Sequence, residues 1–335
     1  MKGKLYIDGF DAYTVYGVYI TEGGYNELVA MPALKAVETN DWQEEDGVEA
    51  DLLSPVLNTK DVQIKFAIKE SYGRYFSLIE MLSDGSYHTF DVSYIGRVYK
   101  LRLVSVQVSE RMGDFALMTL KFADDYPLDG YTYKSPERTI ANDDSYTLDG
   151  LPFSEYGVRL LQGTLSEITK TPDVKTNMLR NIKTLSGAIY DPKTVIYKSK
   201  EVKLYCLMTA PTLSILWKNW DALLYDLTKP DERTLWVSAL EQDFYLYYKS
   251  CQVTNFFVDG KIWLQFTLTV VFTHDFRIAD DDTVLASEDG IIVFTQDGQF
   301  AIEKLADRYN FVTCRFVTNR HTLRLSQDGT FRFNN

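Results

Sequence analysis

Tyr16-Gly17-Val18 recurs as Tyr156-Gly157-Val158, a spacing of 140 residues. Pro32-x-x-Lys35 recurs as Pro172-x-x-Lys175 and Gly47 as Gly187, both at that same spacing. Lys60-Asp61-Val62 answers to Lys200-Glu201-Val202, and Asp8-Gly9 to Asp149-Gly150 at a spacing of 141. Further on the offset grows, with Ser105-Val106-Gln107-Val108 matching Ser250-Cys251-Gln252-Val253 at 145. Short insertions between the matched blocks account for the drift. A period this long exceeds any solenoid repeat and equals a small domain. The sequence therefore predicts one folding unit present twice, with both copies obeying the same order of strands and turns.

Within each copy the pattern is dominated by strands. Leu5 to Gly9 reads as a strand and turn, Val15 to Ile20 as a second strand, and Thr21 to Gly47 as a polar stretch. Val62-Gln63-Ile64-Lys65-Phe66-Ala67-Ile68 alternates strictly, which marks a half-buried strand. Its counterpart, Val202 to Met208, carries Tyr205 and Leu207 at outward positions, so that face is expected to be covered too. A helix follows in both copies. Tyr75, Leu78, Ile79 and Leu82 form one amphipathic stripe, with Ser71 as cap and Asp84-Gly85 as stop. Leu213, Leu216, Trp217, Trp220, Leu224 and Leu227 extend the pattern, with Thr212 as cap and Lys229-Pro230 as stop. Strands return at Val98–Val108 and Phe115–Phe122, and at Phe244–Val253 and Ile262–Phe272. A phase change between Leu103 and Val104 predicts a bulge. The fold class expected is mainly β with minor α: two tandem β-barrels or sandwiches, each with one flanking helix.

The boundaries follow from composition: 1–126 and 147–278 as the two domains, 127–146 as a linker or arm, and 279–335 as a C-terminal extension. In that extension Gln296-Asp297-Gly298-Gln299-Phe300 is echoed by Gln327-Asp328-Gly329-Thr330-Phe331. Together with Asp289-Gly290 these turns predict β-hairpins, which need further packing to be stable.

No catalytic constellation emerges. His88, His274 and His321 are the three histidines, widely separated and outside any metal-binding spacing, and each reads as a surface or loop residue. Phosphate-binding glycine loops and the nucleophile elbow are missing from the sequence. Asp124-Asp125 and Asp280-Asp281-Asp282 are the densest acidic groups; a carboxylate pair or a calcium site is the sharper reading, and solvated charge at domain ends the plainer one. Cys206, Cys251 and Cys314 are scattered and match no zinc pattern, and the first two read as buried thiols. Trp217 and Trp220 suggest a ligand platform, or else core or subunit contact. No catalytic, cofactor-binding or metal-binding residue is predicted, and no cofactor. A net charge of −12 argues against a phosphate-gripping nucleic-acid binder. No apolar run reaches membrane-spanning length, and no signal peptide is visible at the start.

The opening of each copy, with its Asp-Gly turn, Tyr-Gly-Val triplet, Pro-x-x-Lys motif, alternating strand, single helix and closing strands, resembles the distal tail and baseplate-hub proteins of tailed bacteriophages. The likeness covers residues 5–276 and is one of layout more than of identity. It implies a tail-tube fold, a β-barrel-like sandwich with one flanking helix. It also implies a non-enzymatic virion protein that forms a ring, trimeric or hexameric, around the DNA channel. Neighbouring tail-tube, hub and fibre proteins would be its partners, and DNA would pass without specific binding. Distal tail proteins resemble one tube domain followed by a different domain, whereas hub proteins resemble two tube domains, as here. The alternative is a carbohydrate-binding or adhesin-like module presenting Tyr245, Tyr247 and Tyr248 to a glycan. An enzyme using two carboxylates is the third reading.

Overall fold

Asp8 and Gly9 take positive φ angles of 48° and 83°, as a two-residue hairpin turn of matching twist requires. They fold β1 (Tyr6–Ile7) back onto β2 (Phe10–Asp11). The computed structural model describes residues 1–21, 23–69, 72–107, 111–112, 115–175, 183–184, 186–187, 195–274 and 276, and five short strands beyond residue 282.

The strand expected from Val15 is a helix at its beginning. The Asp11 side chain accepts the Thr14 N–H at 2.6 Å and caps α1 (Ala12–Tyr16), which ends on Gly17 at φ 68°. Only β3 (Val18–Ile20) remains extended. Alternating apolar residues over so short a run cannot separate strand from one helical turn, and the cap decides. The polar stretch after it holds α2 (Asn26–Val29) and a small hairpin of β4 (Thr39–Asn40) and β5 (Glu49–Ala50).

Next come β6 (Lys60–Lys69), α3 (Tyr72–Leu82), β7 (His88–Val92), β8 (Arg97–Gln107), β9 (Arg111–Met112) and β10 (Phe115–Asp124). They complete an antiparallel sheet of order β2-β1-β7-β8-β10-β6-β3, with β9 alongside β10. Val62, Ile64 and Phe66 point into the core, while Asp61, Gln63 and Lys65 are exposed, as the alternation predicted.

The second sheet is assembled from β11 (Tyr146–Leu148), β12 (Leu151–Pro152), β13 (Val158–Leu160), β14 (Lys200–Ala210), β15 (Arg233–Val237), β16 (Gln242–Phe257) and β17 (Ile262–Phe272). Its order, β12-β11-β15-β16-β17-β14-β13, is that of the first sheet position by position. Asp149 and Gly150 repeat the hairpin turn at φ 50° and 80°, and a 3-10 turn over Phe153–Tyr156 ends on Gly157 at φ 70°. Helices α4 (Thr164–Thr169) and α5 (Leu213–Leu227) stand where α2 and α3 do. Thr212 caps α5 through the Ile215 N–H at 3.3 Å, and the helix stops before Lys229-Pro230. Tyr205 and Leu207 are half-buried.

Both sheets carry the same irregularity. In the first, Ser105 pairs with Lys121 and Leu103 with Phe122, so Val104 is skipped. In the second, Ser250 pairs with Thr269 and Tyr248 with Val270, so Lys249 is skipped. Buried residues of the two sheets join in one continuous cluster, and Met1–Phe276 forms one compact unit. The stretch read as a linker lies along α5: Glu137 N–H donates to Asn219 Oδ1 at 2.8 Å, and Asn219 Nδ2 returns a bond to Glu137 O at 2.8 Å. Arg277–Asn335 is a second compact unit. In it β18 (Thr283–Val284), β19 (Ile302–Lys304), β20 (Cys314–Val317), β21 (Thr322–Leu325) and β22 (Phe331–Phe333) pair antiparallel in chain order. The fold is thus mainly β with minor helices.

Candidate assembly interface

A set of contacts between unlike elements joins the first sheet to the second. A strap made of α2 and residues 30–34 runs onto β16. Asn26 Nδ2 donates to Thr254 O at 2.8 Å, and Leu34 N–H donates to Lys249 O at 3.0 Å. From the other side the Tyr248 hydroxyl donates to Pro32 O at 2.8 Å. Two indoles on α5 do the same: Trp220 Nε1 reaches Val29 O at 3.1 Å, and Trp217 Nε1 reaches Ile95 O at 2.7 Å. Tyr248, Trp217 and Trp220 are all buried, and each directs its polar tip at a strap or turn carbonyl that burial would otherwise leave unpaired. Arg97 bonds Asp221 at 2.8 Å and lies 4.6 Å from the Trp217 ring centre.

A second cluster centres on Lys175. Its Nζ donates to the carbonyls of Trp42 at 2.7 Å, Glu45 at 2.8 Å and Gly47 at 2.7 Å, and meets Asp41 Oδ1 at 2.5 Å. The side chain is 2% exposed. One ammonium thereby gathers a whole loop of the first half onto the second. Gly47 has φ 73°, and a Cβ there would come 1.6 Å from Thr273 O, so only glycine allows the approach. Gly47 N–H donates to Tyr197 O at 2.8 Å and Val48 N–H to Thr273 O at 2.9 Å. Lys35, the matching lysine of the first half, is exposed.

Each half also tucks a lysine beneath its short helix, Lys60 half-buried and Lys200 buried. Lys60 Nζ donates to Leu28 O at 2.5 Å, and Lys200 Nζ to Ile168 O at 2.6 Å. Each ammonium sits at the negative end of a helix, where C-terminal carbonyls lack partners. Burial, with Arg97 nearby, pulls the Lys60 pKa down to about 7, and burial pulls Lys200 down to about 8. Lys60, Arg97, Tyr99, Asp124, Trp220 and Asp221 line a cavity of about 430 Å³ between the halves. Burial raises the Asp124 pKa.

These contacts are heterologous. The strap of the first half meets a strand of the second. No protein-family model matches the chain, and no curated protein does. A solved structure is similar. It is the crystal structure of the SPP1 Dit protein (gp 19.1), described there as a paradigm of the hub adsorption apparatus in Gram-positive-infecting phages. Identity is 12%, coverage is 81% of this chain and 98% of that one, and the TM-score is 0.30.

The residues singled out in the sequence are scattered. His88 is buried rather than on a surface: Asp8 Oδ2 lies 2.6 Å from its Nδ1 and Asp84 Oδ1 3.3 Å from its Nε2. Its partner Asp8 belongs to the hairpin turn, and Arg233 bonds Asp149 at 2.8 Å in the same way in the second sheet, so the role is structural in both. His274 stacks on Tyr245 with ring centres 4.6 Å apart. Asp125 holds Arg102 at 3.0 Å and the Tyr87 hydroxyl at 2.8 Å, and these bonds keep its pKa low. Cys206 is buried and Cys251 half-buried, and burial pushes the Cys251 thiol up to about 12. Of the three candidate glycan-binding tyrosines, Tyr248 is fully buried and Tyr245 and Tyr247 are half-buried. Trp217 and Trp220 bind the other half of their own chain. Ser71, His321, Asp280-Asp281-Asp282 and the Asp-Gly turns at 289, 297 and 328 lie outside the described residues. Among the described residues no cluster suits a metal ion and no helix is long and apolar enough to cross a membrane. The sequence reading missed Lys60, Lys175 and Lys200, although all three stand in repeated motifs.

Proposed function

We propose that this chain is a structural component of a phage tail tip or baseplate. It would contribute two tube-like modules, residues 1–126 and 147–278, to a ring around the DNA channel. The observation that carries this reading is the pairing of two sheets of identical strand order through a heterologous contact. Such a contact, applied again, builds closed rings or filaments. The layout likeness of residues 5–276 to distal tail and hub proteins supplies the phage setting. Three chains of two modules, or six in two stacked rings, satisfy the arithmetic. The net charge of −12 suits a channel wall that must not hold DNA.

Native mass spectrometry with negative-stain imaging tests the reading. Rings with a central opening are expected. A chain that stays monomeric at high concentration and binds a glycan would refute it.

A further inference from the structure

The chain holds one completed junction and the two unmated halves of another. In the completed one, the bulge in β16 leaves Lys249 outside the β16–β17 ladder, and its carbonyl accepts the Leu34 N–H at 3.0 Å. The β8 bulge skips Val104 in the same way, and Val104 is 46% exposed. In the second half Val174 occupies the place of Leu34, one residue before the buried Lys175. Both residues sit in a lone antiparallel bridge, Leu34 with Leu57 and Val174 with Tyr197. Val174 is 45% exposed. Val106, two residues after Val104 on β8, is 39% exposed, and Leu165 on α4 36%. Cys251, which matches Val106, is a member of the buried junction's surroundings and only half-exposed. Lys249 keeps an exposed side chain in the completed junction and is engaged there through its carbonyl. Val106 and Val174, each more exposed than its counterpart Cys251 or Leu34, are the apolar side chains that mark a contact surface.

We propose that the second strap of one copy, led by Val174, seats on the β8 bulge of another copy. The Val174 N–H would donate to the Val104 carbonyl as Leu34 does to Lys249, and the partner is a second copy of this chain. This rests on the ring reading and specifies the contact between subunits. The two surfaces are different patches of the same molecule, so each copy offers one of each and the contact runs head to tail.

Val106→Asp and Val174→Asp test the contact. Each variant buries an unpaired carboxylate in the proposed interface and leaves the completed junction untouched. Wild-type protein is expected to assemble, and each variant to sediment as a monomer with unchanged circular dichroism. Mixing the two variants should give a heterodimer and nothing larger, because only one mutation-free pair of surfaces remains. As a second measure, Val106→Cys with Val174→Cys in a Cys314→Ser background should form disulfides between copies of the assembled protein. Assembly of the variants as in wild type, without cross-linking, would overturn this contact while leaving a ring by another surface. Variants that stay monomeric after mixing, again without cross-linking, would also overturn it. A wild-type chain that never assembles would overturn the ring reading with it.

Discussion

Lys175→Met removes the ammonium that gathers residues 41–47 and keeps much of the side-chain volume. Three carbonyls lose a charged donor at 2.7–2.8 Å, and Asp41 loses its partner. A hydrogen bond to a charged group contributes about 1.5–3 kcal/mol, so the three together set an upper bound of roughly 5–9 kcal/mol. Two effects reduce it. Burying an ammonium carries a desolvation cost that methionine does not share, and the carbonyls of Trp42 and Glu45 sit in an exposed loop where water can replace the donor. Gly47 O, in a buried bond, has no such recourse. The expected net loss is about 3 kcal/mol, close to the cost of breaking a buried ion pair. For a unit of this size that lowers Tm by roughly 6–12 °C. Differential scanning calorimetry at low protein concentration measures it without a contribution from assembly. Lys35→Met, at the matching but exposed position, should change stability by under about 0.5 kcal/mol. Equal effects of the two substitutions, or a Lys175→Met loss below about 1 kcal/mol, would refute the idea that this lysine ties the halves together.

Gly47→Ala should destabilise far more than Gly9→Ala. Both have positive φ, which costs alanine about 1–2 kcal/mol, but only at Gly47 does the new methyl collide with a backbone carbonyl. Urea unfolding midpoints compare the two, and similar values would show that the close approach to Thr273 does not matter. Trp220→Phe keeps the ring edge toward Phe266, now 4.7 Å between centres, and removes the N–H to Val29 O. A loss of about 1–2 kcal/mol is expected from the unpaired carbonyl, read by the same unfolding measurement. Lys60 titrates near pH 7 in the folded protein, whereas an unfolded lysine holds its proton to about 10.4. The folded state binds fewer protons across that window, so wild-type stability relative to Lys60→Met should rise with pH from about 7 to about 10. A flat difference would mean that Lys60 stays charged when folded.

Much of the architecture was legible in the chain itself. Spacings of 140 and 141 residues matched the glycines ending the first helical turn, the lysines beneath the short helices and the hairpin turns of the two halves. Strict alternation marked β6 and β14, and the phase change at Leu103 marked the bulge. These signals are local, because turn dihedrals and side-chain alternation depend on neighbours in sequence. Val15 misled for the same reason: its short apolar run suited a strand until Asp11 capped a helix.

What the sequence by itself determined was therefore the order of strands and helices and its repetition. Only the tertiary structure decided that two copies of one motif would do different work. Pro-x-x-Lys reads alike at Lys35 and Lys175, yet one lysine is exposed and the other holds four oxygens of a distant loop. Trp217 and Trp220 read as core or contact, and the fold turned them toward carbonyls of the other half. Val104 and Lys249 occupy matching bulges, and it is the Lys249 carbonyl that accepts the Leu34 N–H from the other half. Burial and hydrogen-bond partners are set by residues more than a hundred positions away, and no local pattern encodes which of two equivalent surfaces will meet its mate within the chain.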